Sequence, residues 1–219
     1  MIKLYHYVHC PFCVRVRMAL CHLNIPYESI VLPYDDESTP LSLTGVKMLP
    51  IISLDNKAMN ESLDIIARID SDNRLKNDIL NNARFSEEIE QLLAEVGKNV
   101  HSLAMPYWIY TKEFNIQSRQ YFQSKKEKKR GPFEDLMKEA EVYKKRLEKT
   151  LVDLESKLNP FYTGDQFNIS DIMIASHLWG LYVVPEFQFS SKLHSYLQEI
   201  KKITNFNYHE DFWRILPKG

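Results

Sequence analysis

Two cysteines with two residues between them lie where a short strand gives way to a helix, and this junction constrains the fold more than any other feature. Residues 2–7 are rich in β-branched and aromatic side chains and end just before Cys10-Pro11-Phe12-Cys13. After Cys13, apolar residues return at helical spacing. Pro26 ends this helix because proline disfavours the α conformation in the residue before it, and residues 27–32 again resemble a strand. The chain is therefore predicted to open with a β-α-β unit.

The following segment predicts the rest of a small mixed sheet. Residues 33–44 are polar and are interpreted as a loop, whereas residues 49–54 predict a strand, 55–57 a turn and 58–59 a short return strand. Residues 62–69 predict a helix with Ser62 as its N-cap. The order βαβ and then ββα, with strands of mixed direction, is that of a thioredoxin-like domain.

Beyond a polar stretch the period of the apolar residues is helical. One face is formed by Phe85, Ile89, Leu92, Leu93, Val96 and Val100, and another by Leu136, Ala140, Tyr143, Leu147, Leu151, Leu154 and Leu158. Asn168-Ile169-Ser170-Asp171 predicts a reciprocal cap at the start of a buried helix, which is a folding device and not a site. The predicted fold class is α+β, with a thioredoxin-like N-terminal domain (residues 1–72), a linker (73–82) and an all-α C-terminal domain (83–219).

Charge and cysteine usage narrow the class of protein. A formal net charge of -1 argues against nucleic-acid binding, because a phosphate-binding surface normally carries a basic excess. Two of the three cysteines share one motif, which favours a reducing compartment and a catalytic pair over structural disulfides. Residues 1–9 lack a secretory apolar region, and no apolar run approaches the ~18 residues of a membrane span. We expect a cytoplasmic protein with no membrane partner.

The cysteine motif predicts thiol–disulfide chemistry. At a helix N-terminus, free amides and the positive end of the helix dipole favour a Cys10 thiolate, and the spacing lets Cys13 attack a mixed disulfide formed on Cys10. Pro11 suits the first helical turn. A zinc site is disfavoured because no second Cys/His pair stands at zinc spacing. The third cysteine, Cys21, is interpreted as a small buried hydrophobe.

Charged and imidazole side chains near the motif have less specific interpretations. His6 and His9 would alternate in direction along a strand, which argues against a metal cluster, and His9 either tunes the approach to Cys10 or is exposed. Arg15 and Arg17 are interpreted as a solvated helix face, with added positive potential near the Cys10 thiolate as the alternative. The basic run at residues 124–130 is interpreted as a solvated loop between helices, with a weaker alternative as a site for an anionic partner.

Two dipeptides further along could bind a ligand beside Cys10. Leu49-Pro50 precedes a strand, and a cis bond there would turn the Leu49 backbone amide outward. Glu61-Ser62 opens a helix, where free amides and a hydroxyl suit a carboxylate and Glu61 suits an ammonium group. An ordinary helix cap is the alternative for this pair.

Taken together, these motifs resemble the glutathione site shared by glutaredoxins and proteins of the glutathione-transferase fold. Further stretches, Arg119-Gln120-Tyr121-Phe122, Lys125-Lys126-Glu127, Gly131, Phe133 and Asp135-Leu136, resemble the helical domain of the large bacterial glutaredoxin 2 type. Two positions depart from the pattern: Phe12 stands where tyrosine is frequent, and Asn60 where relatives can carry proline.

The resemblance implies a glutathione-dependent thiol–disulfide oxidoreductase. It makes Cys10 the nucleophile and Cys13 the resolving thiol, and implies glutathione as reducing co-substrate without a metal. The glutathione-binding residues that it implies are Pro11, Phe12, Leu49, Pro50, Glu61 and Ser62. The expected partners are glutathionylated or disulfide-containing proteins, and the expected state is a monomer. A glutathione transferase acting on electrophiles and a non-enzymatic binding or membrane-associating module, comparable to chloride intracellular channel proteins, remain alternatives.

Overall fold

A computed structural model describes residues 1–55, 57–111, 113–185 and 187–207. Its N-terminal part holds a four-stranded sheet of β1 (Ile2–His6), β2 (Tyr27–Val31), β3 (Ile51–Leu54) and β4 (Lys57–Met59). The strand order is β2-β1-β3-β4, with β1 parallel to β2 and antiparallel to β3. The predicted thioredoxin-like sheet of mixed direction is confirmed.

Three helices accompany the sheet: α1 (Pro11–Leu23), α2 (Ser38–Thr44) and α3 (Ser62–Ile69). The prediction of a loop throughout residues 33–44 is wrong, because residues 38–44 form α2, and the Asp36 carboxylate just before this helix accepts the Thr39 amide of its first turn at 2.9 Å. The assignment of Ser62 as N-cap is also wrong. Glu61 occupies that position, with a φ of 69°, and Ser62 is the first helical residue.

The remainder of the described chain is helical apart from its connecting segments. It comprises α4 (Ala83–Trp108), α5 (Ile116–Arg130), α6 (Phe133–Lys138), α7 (Ala140–Lys157), α8 (Ile169–Leu178) and α9 (Ser191–Thr204), with short 3₁₀ helices at Asn77–Asn81 and Trp179–Val183. The basic run at residues 124–130 is the end of α5 and not a loop. Lysine, glutamate and arginine are good helix formers, and the Asn115 side chain caps the helix by accepting the Ser118 amide.

The predicted reciprocal cap of α8 is confirmed. The Asn168 side chain accepts the Ser170 amide at 2.9 Å, and the Asp171 carboxylate accepts the Asn168 amide at 3.0 Å. Asp171 also accepts the Tyr196 hydroxyl at 2.8 Å, so this buried carboxylate joins α8 to α9. Satisfying these groups allows α8 to be buried along its whole length.

One hydrophobic core runs through the sheet side and the helical side of the molecule, from Leu4 and Val14 to Ile172 and Trp179. Helix α1 packs against α3, α8 and α9. Helices from both halves of the molecule therefore cover it, and most of its residues are buried, charged ones included. Among the described residues, no helix combines the length and the apolar character needed to cross a bilayer.

Candidate active site

The two motif cysteines differ in exposure because of where each lies on α1. Cys10 is the N-cap residue, in an extended conformation, and is partly exposed. Cys13, one turn further, has no exposed surface, and its Sγ accepts the Tyr7 amide at 3.4 Å. Pro11 begins the helix, where its missing amide hydrogen leaves no bond unmade. Both cysteines are free thiols.

The acidities of the two thiols are driven apart. A hydrogen bond from Cys13, with further help from His9 and the helix-start amides, lowers the pKa of Cys10 to about 6. Burial raises the pKa of Cys13, and the neighbouring Cys10 adds to this effect. A partly exposed thiolate therefore stands beside a buried, protonated thiol, an arrangement suited to thiol–disulfide exchange.

The residues before β3 lie on the same side of the sheet as the cysteines. The Leu49-Pro50 peptide bond is cis. Leu49 is buried in a small apolar cluster with Tyr7, Cys13 and Ile51, against which Cys10 packs. The structure therefore brings the Leu49-Pro50 pair into the neighbourhood of the dithiol.

A cavity of about 600 Å³ opens between the thioredoxin-like part and the helical part. The predicted site residues Phe12, Glu61 and Ser62 line it, whereas Pro11, Leu49, Pro50 and the two cysteines do not. Its other walls are Arg15, the first turn of α3 (Leu63, Asp64), α4 (Glu90, Leu93, Ala94) and α8 (Met173, His177). The cleft thus begins at the motif residue Phe12 and ends against helices of the other half of the molecule.

Arg15, interpreted from the sequence as solvated, is a buried cation in the wall of this cavity. It is 3% exposed; its Nη1 donates to Ser62 Oγ at 3.0 Å, and its guanidinium carbon lies 5.1 Å from the centre of the Phe12 ring. Burial lowers its pKa to about 10. Its Nε has no hydrogen-bond partner, and in the described part of the chain no carboxylate pairs with it. A buried, unpaired guanidinium is suited to an anionic ligand.

His177 closes the cavity from α8. Its ring meets Phe12 edge-on at 5.6 Å, and its Nδ1 donates to the Met173 carbonyl at 2.9 Å. Burial lowers the pKa of His177 to about 3, so the imidazole is neutral at physiological pH. His177 carries no signal in the sequence, and Arg15 is interpreted from the sequence as solvated, because the packing of α8 against α1 is what brings both side chains to this wall.

A second group of cations lies near the dithiol. Lys47 Nζ donates to the Tyr34 carbonyl and to the Tyr121 hydroxyl, both at 3.0 Å. Lys126, from the basic run, lies with its Nζ 5.5 Å from the centre of the Tyr34 ring. Because Tyr34 packs against the cluster that holds Cys10, these ammonium groups border the site.

The two histidines near the motif are held by separate partners. His6 Nε2 lies 2.7 Å from Ser29 Oγ, and His9 Nδ1 lies 3.0 Å from Glu113 Oε1. The interpretation of His9 as exposed is wrong, because the ring is almost fully buried. Within the described ranges no three His, Cys, Asp or Glu side chains are grouped to hold a metal ion.

Solved structures with the same architecture include a glutaredoxin 2 and a glutathione transferase. Glutaredoxin 2 from Salmonella typhimurium, solved in complex with glutathione, matches with a TM-score of 0.81 and 30% identity, covering 95% of this chain and 96% of that one. Glutathione transferase GSTFuA3 from Phanerochaete chrysosporium matches with a TM-score of 0.77 at 17% identity, over 94% of this chain and 98% of that one. At such identity the transferase shares the fold alone.

Sequence comparison distinguishes between the glutaredoxin 2 proteins and the glutathione transferases that share this fold. The family model "Glutathione S-transferase, N-terminal domain" matches residues 4–76, and "Glutaredoxin 2, C terminal domain" matches residues 88–212. Glutaredoxin 2 of Escherichia coli K12 is 31% identical over 211 residues, which cover 94% of this chain and 97% of that protein. A dithiol at the start of α1, a glutathione-transferase-like fold and a relative matched along nearly its whole length lead to one conclusion: the chain belongs to the glutaredoxin 2 family of oxidoreductases.

Proposed function

We propose that this protein reduces glutathione mixed disulfides and protein disulfides with glutathione as the electron donor, with Cys10 as nucleophile and Cys13 as resolving thiol. The observation that carries the proposal is the opposed state of the two sulfurs. Cys10 is partly exposed with a lowered pKa, and Cys13 is buried with a raised pKa. A pKa of about 6 leaves Cys10 largely as thiolate at neutral pH while retaining nucleophilicity.

The first half-reaction exchanges one disulfide for another. The Cys10 thiolate attacks the glutathione sulfur of a mixed disulfide, a bond forms between these two sulfurs, and the substrate leaves as a thiolate that takes a proton from water. A second glutathione thiolate then attacks the glutathione sulfur bound to Cys10. Oxidised glutathione leaves, and the Cys10 thiolate is restored.

With a protein disulfide the second cysteine takes part. Cys10 forms a mixed disulfide with one substrate sulfur and releases the other. The Cys13 thiol loses its proton, attacks Cys10 Sγ and releases the reduced protein, leaving a Cys10–Cys13 disulfide. Two glutathione molecules reduce this disulfide and become oxidised glutathione. Cys13 is needed only on this route, since a small mixed disulfide can be resolved by free glutathione.

Glutathione is proposed to lie from the Leu49-Pro50 segment to the first turn of α3. Its sulfur would face Cys10, and its γ-glutamyl end would enter the cavity lined by Phe12, Glu61 and Ser62. There the buried Arg15 and the Ser62 hydroxyl offer donors to a carboxylate, and Glu61 offers a counter-charge for an ammonium group. Support comes from the Salmonella relative, which was solved with glutathione.

The proposal also covers the substrate proteins and the cellular compartment in which the protein acts. We expect glutathionylated and disulfide-containing proteins of the cytoplasm as substrates, because a reducing compartment supplies the glutathione that turnover consumes. Pro11 would restrict the first helical turn beside the reacting sulfur, and Pro50 would shape the neighbouring loop.

The decisive experiment is turnover of a small glutathione mixed disulfide, coupled to glutathione reductase and NADPH. Wild-type protein should be active, Cys10→Ser inactive, and Cys13→Ser active on the small substrate. Conjugation of glutathione to an aromatic electrophile is the parallel assay. Conjugation without disulfide reduction would reject the proposal in favour of a transferase.

A further inference from the structure

A carboxylate of the helical half contacts the segment that leads into Cys10. Glu113 lies in the connection between α4 and α5, and its two oxygens take separate donors. Oε2 accepts the Val8 amide at 2.8 Å, and Oε1 lies 3.0 Å from His9 Nδ1, which donates to it. The side chains of His9 and Glu113 are 5% and 6% exposed. This is a desolvated pair that joins the two halves of the molecule one residue before the nucleophile.

The rest of the His9 environment is aromatic. Five rings lie with their centres 5.1–5.6 Å from the imidazole: Tyr7, Tyr34, Trp108, Phe114 and Phe122. An imidazolium in such surroundings needs a counter-charge, because burial without one favours the neutral ring. Among the described residues Glu113 is the carboxylate that His9 contacts.

The other titratable groups around His9 do not offer a negative charge. Burial raises the pKa of the Tyr7 and Tyr34 hydroxyls, so both are neutral. His101, which meets Trp108, has a pKa lowered by burial to about 3 and is neutral as well. The Lys126 ammonium lies over the rings of Tyr34 and Phe122 and opposes a further positive charge.

Lys47 lies over the Tyr34 ring and is a second positive neighbour. Of the two thiols on α1, Cys13 is protonated and Cys10 is the thiolate that a positive His9 favours. Glu37 pairs with Lys47 and Lys125 at the outer edge of this group.

We propose that Glu113 is a positioning residue that holds His9 as an imidazolium and so sustains the Cys10 thiolate from across the interface between the two halves. The biological meaning rests on the proposed role of Cys10 as nucleophile. The electrostatic claim does not, since it concerns the free protein. A consequence is that the acidity of the nucleophile depends on the contact of Glu113 with Val8 and His9.

Removing the charge of Glu113 has two opposing effects on the pKa of Cys10. A carboxylate near Cys10 disfavours the thiolate directly, so its loss alone would make Cys10 more acidic. Loss of the imidazolium acts the other way, and His9 is the immediate chain neighbour of Cys10 and one of the groups that lower its pKa. Glu113→Gln, which keeps the size of the side chain, is therefore expected to make Cys10 less acidic.

The test measures Cys10 alkylation against pH in glutathione-free buffer, with mass spectrometry to identify the modified sulfur. If the pKa of Cys10 rises from about 6 to about 7, the alkylation rate near pH 6 falls about fivefold in Glu113→Gln. Glu113→Asp, which keeps the charge, should recover part of the lost rate. Glu88→Gln is the matched control, because it removes the same charge from a surface pair with Lys157 and should leave the profile unchanged.

A measurement on the wild-type protein tests the same proposal even if the Glu113→Gln variant does not fold. Heteronuclear NMR of the imidazole nitrogens should show His9 protonated on both nitrogens at neutral pH. A neutral His9 in the wild type, or a Cys10 profile in folded Glu113→Gln that is unchanged or moved to lower pH, overturns the proposal. Because no step needs glutathione, a protein without reductase activity could still pass or fail this test.

Discussion

Replacing Arg15 with methionine is expected to affect glutathione binding strongly and fold stability weakly. Burial lowers the pKa of Arg15 from 12.5 to about 10, which corresponds to about 3 kcal/mol against the charged form in the folded state. The penalty is fully present below about pH 10, since the side chain is charged in both folded and unfolded protein there. Methionine removes it, and fills similar space with an apolar chain.

Against this gain stands the loss of the hydrogen bond to Ser62, worth about 1.5–3 kcal/mol for a charged donor. The two contributions nearly cancel, so the free energy of unfolding should change by less than about 2 kcal/mol. Binding has no such compensation. Loss of a charged hydrogen bond to the γ-glutamyl carboxylate should raise the glutathione KM roughly 10- to 150-fold.

The assay is the glutathione dependence of mixed-disulfide turnover, together with thermal or urea unfolding of the same samples. Arg17→Met is the control, because it removes a buried charge from the same helix, where the guanidinium lies over Phe206. It should leave the glutathione KM unchanged. An Arg15→Met variant with an unaltered KM, or one destabilised by much more than 3 kcal/mol, would refute the reasoning and make Arg15 a structural anchor for Ser62.

Three further predictions address the dithiol and its ligand. Cys10→Ser should lose all disulfide activity. Cys13→Ser should keep much of the turnover of small mixed disulfides but lose more of the reduction of protein disulfides. Activity assays with both kinds of substrate, together with mass spectrometry of the Cys10 adduct, check this prediction. The mixed-disulfide reaction should accelerate as pH rises through about 6, because the thiolate forms there; a profile centred on the free-thiol value of ~8.5 would contradict the lowered pKa of Cys10. Glu61→Ala and Ser62→Ala should each raise the glutathione KM more than they lower kcat, since they would bind a remote part of the tripeptide; steady-state kinetics that show an unaltered KM in both would reduce them to a helix start.

Features that depend on neighbours within a few residues could be predicted from the sequence. The cysteine motif at a strand-to-helix junction, the order of strands and helices and the cap at Asn168 and Asp171 all follow from short-range steric and hydrogen-bonding rules. The thioredoxin-like class followed from that order. The wrong prediction of a loop at residues 124–130 could also have been avoided from the sequence. The lysines and glutamates of this segment favour a helix, and it forms the end of α5.

Burial of charged side chains depended on the tertiary structure. Arg15 is buried in α1, where that helix packs against α3 and α8 and the side chain meets Ser62 of α3. His9 meets a carboxylate 104 residues away along the chain, in a connection with no distinctive local pattern. The sequence by itself determined where the two motif cysteines stand, at the start of α1. Which charged side chains surround them was decided by the tertiary structure, because electrostatic neighbours are set by distance in space and not by separation along the chain.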